Sequence, residues 1–533
     1  MLNGMEETLS RHEDQFPSVE SELLLLAETN KGLRFEVQDL ENSSRWLNLS
    51  DQEKDLLKEK LEQLQCHFTW GPQKENIDLD DIKQRLEDSI QTNEKYQGRF
   101  YNQLAFVNCL QGNYEEATQN LKEAEKILRE NHEDEFDKRI IITYGNYAWV
   151  YYHMEQLTEA QSYLDKLEKI CEQFPDASRY TAMIPAVYGE KGWSLLKSSS
   201  QYYEEAKECF KKALEEDPDN VEWNDGYAIV LSRLETFSGT PENCKPTQSI
   251  KQFRRVLELD PDHGEAMVLL ALKLQQSNQS EDALELVENA LQASPNLPHV
   301  LRYAAKFYRL KEDLDKAVEL LKKGLEITPH STFLHHQIGL CYRKKLSSVN
   351  KNPRSKRPGD PAFQQRAELI ELCKDHFKKA FEPRPLTFIR AQLDFARICS
   401  LNEEYENVEE IYNNLLKFQD IRPENKQAIC LEAGLFELHQ KKSESNAITR
   451  FLEGMKINCN STDMKRCRDN LKLISERQIR RNPKNSKAHG VLGLMHQLDG
   501  KKREAVESFE KALDLDPGNE EYLSALCELS LSI

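Results

Sequence analysis

Long apolar runs are missing from this 533-residue chain; nothing approaches the roughly 18–20 apolar residues that a membrane span needs. The leucine run at Leu23–Leu26 is flanked by Glu20, Glu22 and Glu28 and has no basic segment before it, so it reads poorly as a secretory signal. Glycine and proline number only 20 and 19, too few for an all-β chain full of tight turns. The twelve cysteines are scattered with no C-x-x-C pair, which points to a reducing compartment and makes the cytoplasm the expected location. Cys109, Cys341 and Cys527 fall in helical apolar patterns, where a thiol serves as a small hydrophobe. A glycine-rich phosphate loop, an H-E-x-x-H helix and Cys–His zinc spacing are all absent. His335 and His336 are adjacent and diverge on a helix, so they do not chelate together. Catalytic residues and a resident metal or cofactor are therefore not expected. Positive charge is also short, with 72 Lys and Arg against 91 Asp and Glu and a formal net charge of -19. An acidic global field argues against nonspecific coating of nucleic acid, and DNA is not an expected partner.

What the chain does have is a repeat. Ala271, Ala283 and Pro295 recur as Ala305, Ala317 and Pro329, each displaced by 34. Ser194, Ala206 and Pro218 form the same set upstream, and Gly493, Ala505 and Pro517 form it near the C-terminus. A small residue on one helix and Ala on the next let two antiparallel backbones approach, and Pro ends the second helix. A period of 34 is that of the tetratricopeptide repeat. The expected fold is all-α, a tetratricopeptide-repeat superhelical solenoid enclosing a basic central channel, with about ten units starting near residues 98, 141, 187, 221, 264, 298, 332, 389, 427 and 486.

Departures from the period suggest domain boundaries. Residues 1–48 are acidic, with ten Asp or Glu against four Lys or Arg, and lack the repeat; they are expected to be poorly ordered. Residues 49–343 are expected to form an N-terminal superhelix. A basic, flexible insertion at 344–369 follows, with six Lys or Arg and one Asp between 344 and 361. A C-terminal array fills 370–533.

Within such a unit the first helix faces the concave side. Arg302, Lys306 and Arg309 stand at i, i+4 and i+7, and one period later the same positions hold His336, Leu340 and Arg343. Between 297 and 345 there are ten Lys or Arg against five Asp or Glu, a local reversal of the global sign. Tyr303, Phe307 and Tyr308 add aromatic surface. A positively lined groove in an acidic protein points to an anionic ligand held by guanidinium and imidazole groups. Basic residues at helical spacing also make ordinary solvated faces, and the nine Lys or Arg from Lys465 to Lys487 fit either description. Trp193 and Lys197 lie one turn apart; Trp193 is either core or a stacking platform for a base or cap.

Several strings go beyond the generic repeat: CHFTW (66–70), GNYAWVYYHM (145–154), EKGWSLLK (190–197), VLRYAAKFYR (300–309), FLHHQIGLCYR (333–343) and the terminal ALCELSLSI. From about residue 50 onward the chain resembles the interferon-induced proteins with tetratricopeptide repeats. That resemblance implies an antiviral effector that binds the 5′ end of single-stranded viral RNA, triphosphorylated or capped without 2′-O-methylation, and blocks its translation. It implies RNA contacts from Arg302, Tyr303, Arg309, His336 and Gln337, from Lys197, Tyr203 and Arg233, and from Arg85. It further implies a cap-stacking role for Trp193 and a wall position for Leu340; Lys306 and Arg343 join them by register. Asp81 stands where some members help to hold a phosphate-bound divalent or sodium ion, while Ser89, Asn93 and His299 depart from the family pattern. Partners are expected to be RNA 5′ ends, with related family members or translation factors beside them. The alternative is a protein-interaction scaffold that clamps a peptide carboxylate, but that clamp needs Asn one period before Arg302, where this chain has Val268.

Overall fold

The computed structural model describes residues 52–530 except 73, 75–76, 93–96, 132, 239–246, 277–279, 384, 386–387, 419–420 and 460. Residues 1–48 and Asn93 therefore lie outside the described residues. Among the described residues the regular structure is helical, apart from one isolated bridge between Ser178 and Thr181. In chain order the helices fall into ten pairs, opening at Gln97, Phe136, Pro185, Val221, Gly264, Pro298, Thr332, Ile389, Pro423 and Ser486. These positions follow the expected starts. The 20-residue helix Thr462–Arg481 stands between the last two pairs and carries most of the basic run.

The small residues that set the register are buried, including Ala206, Ala271, Ala283, Ala305, Ala317 and Ala505. Aromatic rings fill the space they leave. A Cβ added at Gly339 would meet the Phe377 ring at 2.5 Å, one at Gly493 the Phe509 ring at 2.8 Å, and one at Gly434 would press into the Phe451 ring. Glycine in these helix interiors costs about 1 kcal/mol in propensity, offset by the close approach of a buried phenyl ring. The turns inside the pairs share one bond pattern. Asn113, Gln156, Asp313, Glu404 and Lys501 each donate a backbone N–H to the carbonyl five residues earlier. The residue just before each of them has positive φ: Gly112, Glu155, Glu312, Glu403 and Gly500. This is the left-handed helix stop that satisfies the last carbonyls.

Two compact units emerge. The first comprises the chain up to Gln73 together with Gly98–Leu195. Its core joins Leu57, Leu61, Leu64 and Trp70 to helix Phe136–His153, whose residues Ile140 to Val150 are all buried. Aromatic stacking is dense here: Tyr147 lies on Tyr163 at 4.4 Å, and Phe68 stacks on Trp149 at 5.8 Å. His67 is sealed within this core, its ring 3.1 Å from the Asn146 amide; burial pushes its pKa down to about 3, against the raising effect of that bond.

The second unit comprises Lys74–Gln97 and Leu196–Ile533. The division expected after residue 343 is not found; that position lies inside helix Thr332–Asn350 of this unit. The flexible insertion expected at 344–369 is also largely regular. Helix Thr332–Asn350 runs through its start, a 3-10 turn spans Pro353–Lys356, and helix Pro361–Phe381 begins within it. Leu346 and Ser355 are fully buried, the Asp360 side chain caps the second helix at the Ala362 N–H (2.9 Å), and Arg366 donates to Asn350 and to the Leu401 carbonyl. The proline and glycine content misled because the anchors, Leu346 and Ser355, are few but completely covered. Cys109 and Cys341 are buried as expected, whereas Cys527 is exposed on the last helix, Glu520–Ser530.

Candidate functional site

Helix Pro298–Leu310 starts with Pro at its first turn and buries Val300, Leu301, Ala304, Ala305 and Phe307. That packing directs Arg302, Lys306 and Arg309 to the other face. The Arg302 guanidinium lies 4.6 Å from the Tyr303 ring centre and 4.9 Å from that of Phe333. Lys306 is reached by solvent yet crowded by protein. Partial desolvation holds its ammonium below the usual lysine range; Arg309, Arg302 and Lys273 push the same way while Tyr303 opposes them. Arg309 is likewise lowered, first by desolvation and then by Arg343. Among the described residues none of Arg302, Lys306 and Arg309 makes an ion pair.

Two further expected residues join this group. Arg233, on helix Val221–Ser238, donates to the Tyr203 hydroxyl at 2.7 Å and also lies over that ring. Burial disfavours its charge, but Tyr303 and Tyr203 outweigh this and raise its pKa. Burial would raise the Tyr303 phenol, yet Arg302 and Arg233 bring it below its ordinary value. The tyrosines therefore sit in a field set by cations. Lys273, absent from the sequence expectation, adds a charge and is tied to Glu235 and the Ser232 carbonyl at 3.1 Å each. It occupies its helix two residues before the column that contains Arg309, so a strict 34-residue shift does not find it.

One repeat further on, the picture changes. His336 is buried, with Nε2 2.9 Å from an Asp394 carboxylate oxygen. Arg343 pairs with the other oxygen, and Arg397 reaches that same oxygen at 2.7 Å. Arg397 also grips Glu432 through two bonds, at 2.7 and 2.5 Å. Burial raises the Asp394 carboxyl, but the His336 bond and the two arginines hold it below the usual carboxylate range. His336 and Arg343, both expected to contact a ligand, are engaged by an acid from a later helix. The signal was available, since Arg397 lies 57 positions after Leu340 and Asp394 lies 57 after Gln337, the spacing between the pair starts Thr332 and Ile389 as stretched by the insertion.

A cavity of about 900 Å³ opens beside this network. Arg309, Leu340, Arg343 and Lys344 line it from two successive repeats, and Arg397 and Tyr412 from the next. Of the columns drawn from the sequence, Arg309, Leu340 and Arg343 line this cavity, whereas Arg302, Lys306 and His336 are not among its lining. Gln337 is half-buried on the same helix as Leu340.

Arg85 belongs to helix Leu79–Gln91 of the second unit. It is paired with Asp81 at 2.8 Å and donates to the Lys197 carbonyl at 3.4 Å. The Asp81 carboxylate considered as a cation ligand is thus engaged by an arginine, and among the described residues no cluster of three or more metal-ligating side chains forms. Trp193 belongs to the first unit. It is only 5% exposed, and the Arg99 guanidinium sits 4.0 Å from its ring centre. The indole is not the open platform that the sequence suggested. Arg99 went unnoticed because it lies far from Trp193 in sequence and follows no repeat rule.

The tetratricopeptide-repeat family pattern matches residues 96–173, 187–220, 269–332 and 486–519. The human antiviral innate immune response effector IFIT1 is 40% identical over 463 residues, covering 86% of this chain and 96% of that protein. The chain belongs to the family of interferon-induced proteins with tetratricopeptide repeats. Human interferon-induced protein with tetratricopeptide repeats 2, another member, is 37% identical across 87% of this chain and 97% of its own length. Among solved structures, the human IFIT1 dimer with m7Gppp-AAAA matches with a TM-score of 0.72 at 40% identity, covering 86% of this chain and 99% of that one. The human IFIT1 dimer with PPP-AAAA gives 0.68 at 39% identity, covering 86% and 100%. Like these relatives this family member is an all-α repeat protein, and among its described residues no helix is long and apolar enough to cross a membrane.

Proposed function

We propose that this chain binds the 5′ end of single-stranded RNA and acts as an interferon-induced antiviral effector that blocks translation of the RNA it holds. The observation that carries this is the group of Arg302, Lys306 and Arg309, three neighbouring cations without an ion pair among the described residues, in a protein of net charge -19. Three like charges held together repel one another, and an anion relieves that repulsion; charge-assisted contacts contribute roughly 1.5–3 kcal/mol each. A 5′-triphosphate concentrates more negative charge than any internal position of the strand. Tyr203 and Tyr303, held in the field of Arg233 and Arg302, offer hydroxyls and ring faces to the first nucleotides without reading their sequence. The family relationship supports the same ligand, since human IFIT1 is known with both m7Gppp-AAAA and PPP-AAAA.

The protein works by sequestration and is not an enzyme. It acts in the cytoplasm, with other family members or translation factors as protein partners, and has no resident metal. A cation carried in by the phosphates would share Asp81 with Arg85.

The deciding experiment measures binding of one short single-stranded RNA carrying a 5′-triphosphate or a 5′-hydroxyl, at fixed salt, to the wild type and to Arg302→Glu. Preference for the triphosphate, reduced roughly 100-fold or more by the charge reversal, is the expected result. Equal, weak binding of both RNAs would sink the RNA-end function in favour of a peptide-binding scaffold.

A further inference from the structure

We infer that Ser347 is a phosphorylation site, and that a phosphate there is held by the arginines of the cavity beside it and switches RNA-end binding off. The inference rests on the RNA-end function proposed above. Three serines lie in the basic segment 344–361: Ser347, Ser348 and Ser355. Ser355 is fully buried, and its hydroxyl donates to the Asn352 carbonyl at 2.7 Å. The Ser348 hydroxyl turns back to the Lys344 carbonyl at 3.4 Å. Ser347 is exposed and lines the cavity, and its hydroxyl makes no hydrogen bond among the described residues.

The surroundings suit a phosphate. Arg343 stands four residues before Ser347 on helix Thr332–Asn350 and Lys344 three, the spacings at which helical side chains meet. Both line the same cavity, with Arg309 and Arg397 from neighbouring repeats. Arg309 has no ion pair among the described residues; desolvation and then Arg343 disfavour its charge. Arg343 gives Asp394 one nitrogen of its fork, and the carboxylate in the cavity lining, Glu432, is already held by Arg397. A phosphoserine brings a charge of about −1.5 to −2 and three acceptor oxygens. The macrodipole disfavours that charge in the last turn of a helix, and Arg343 and Lys344 offset the cost. Arg309 also belongs to the group that meets the RNA, so a phosphate that neutralises it withdraws one of three cations from the ligand. The phosphoryl donor is ATP, and the catalyst is a serine kinase that selects basic residues before its target; Arg343, Lys344 and Lys345 supply them. The Ser347 oxygen attacks the γ-phosphorus, its proton passes to the base of the kinase, and the bond from that phosphorus to the β-phosphate oxygen breaks to release ADP. Ser347 sits in the last turn before Asn350, where opening a helix breaks the fewest hydrogen bonds.

In the test, the full chain is incubated with ATP and the catalytic subunit of cyclic-AMP-dependent protein kinase, mapped by mass spectrometry, and titrated with one single-stranded RNA carrying a 5′-triphosphate or a 5′-hydroxyl. Phosphate should be found on Ser347, and affinity for the triphosphate RNA should fall roughly tenfold or more, the loss of one charge-assisted contact. Ser347→Ala treated alike should keep full affinity. Phosphorus NMR should place the second pKa of the phosphate below its ordinary value of about 6, and Arg309→Gln should return it toward that value. Ser347→Glu, with a smaller charge, serves if thermal melting shows the phosphorylated chain to be misfolded, and should weaken binding in the same direction. Unchanged affinity in a folded chain phosphorylated at Ser347, or phosphate on Ser348 or Ser355 in its place, would overturn the inference while leaving RNA-end binding intact. If the unmodified chain binds both RNAs equally and weakly, the proposed function fails and this inference falls with it.

Discussion

Helix Pro298–Leu310 and helix Thr332–Asn350 carry basic side chains at equivalent positions of successive repeats, yet the two sets have opposite fates. Arg302 and Arg309 make no ion pair among the described residues, whereas His336 and Arg343 converge on Asp394, which Arg397 and Glu432 extend into a five-residue network. Arginine at the same helical phase therefore stays without an ion pair in one repeat, at Arg309, and closes a structural clasp in the next, at Arg343. Local positive charge, counted along a sequence, does not measure available positive charge. Availability depends on whether a later repeat brings a carboxylate within about 3 Å, and here that repeat reaches only one of the two helices.

The difference can be broken most severely at its acid. Replacing Asp394 by Asn leaves His336, Arg343 and Arg397 without their common partner. It should cost about 3 kcal/mol of stability, the low end for a broken buried pair because both arginines stay about a third exposed. Urea unfolding followed by circular dichroism would read this, and an unchanged midpoint would mean that the network adds nothing. Next in size is a paired substitution. Arg302→Ala should weaken triphosphate-RNA binding by about 2 kcal/mol and leave the melting temperature nearly unchanged, while Arg343→Ala should move the melting temperature more and the affinity less. Equal effects of the two on affinity would erase the distinction between the helices.

Acid should separate them further. The Asp394 carboxyl is held below its ordinary value in the fold, so the unfolded chain binds more protons as pH falls and the contribution of the network is lost in that direction. It is fully present above the unfolded carboxylate value and disappears as pH drops through the folded one. The stability gap between wild type and Asp394→Asn should accordingly shrink on acidification below about pH 4, and a constant gap would contradict the assignment. The smallest expected effect concerns Lys306. Lys306→Gln removes one phosphate-facing charge, and the slope of log affinity against log salt should become shallower by roughly 0.7. An unchanged slope would place Lys306 outside the contact.

Much of this molecule was legible before any coordinates. The Ala271, Ala305 and Gly339 register located the helix pairs, because a helix–turn–helix unit that buries one small residue against one Ala repeats wherever its packing repeats. The phase of Arg302, Lys306 and Arg309 was equally readable, since 3.6 residues per turn is a local property. Where prediction failed, distance along the chain was the cause. Segment 344–369 read as flexible from its proline and glycine content, but Leu346, Ser355 and the capped start at Asp360 hold it in place through contacts that composition does not show. Trp193 read as either core or a stacking platform, and the guanidinium of Arg99 on another helix covers it.

The sequence by itself thus determined the all-α repeat fold, the period and which face of each first helix carries charge, all of which follow from short-range periodicity, and strings outside the repeat carried the resemblance to the family. Tertiary structure alone decided which of those charges remain unpaired and which aromatic face is open. Pairing and stacking depend on groups a few ångströms apart in space, and the partners that matter here, Asp394 for His336 and Arg99 for Trp193, stand several helices away in the chain.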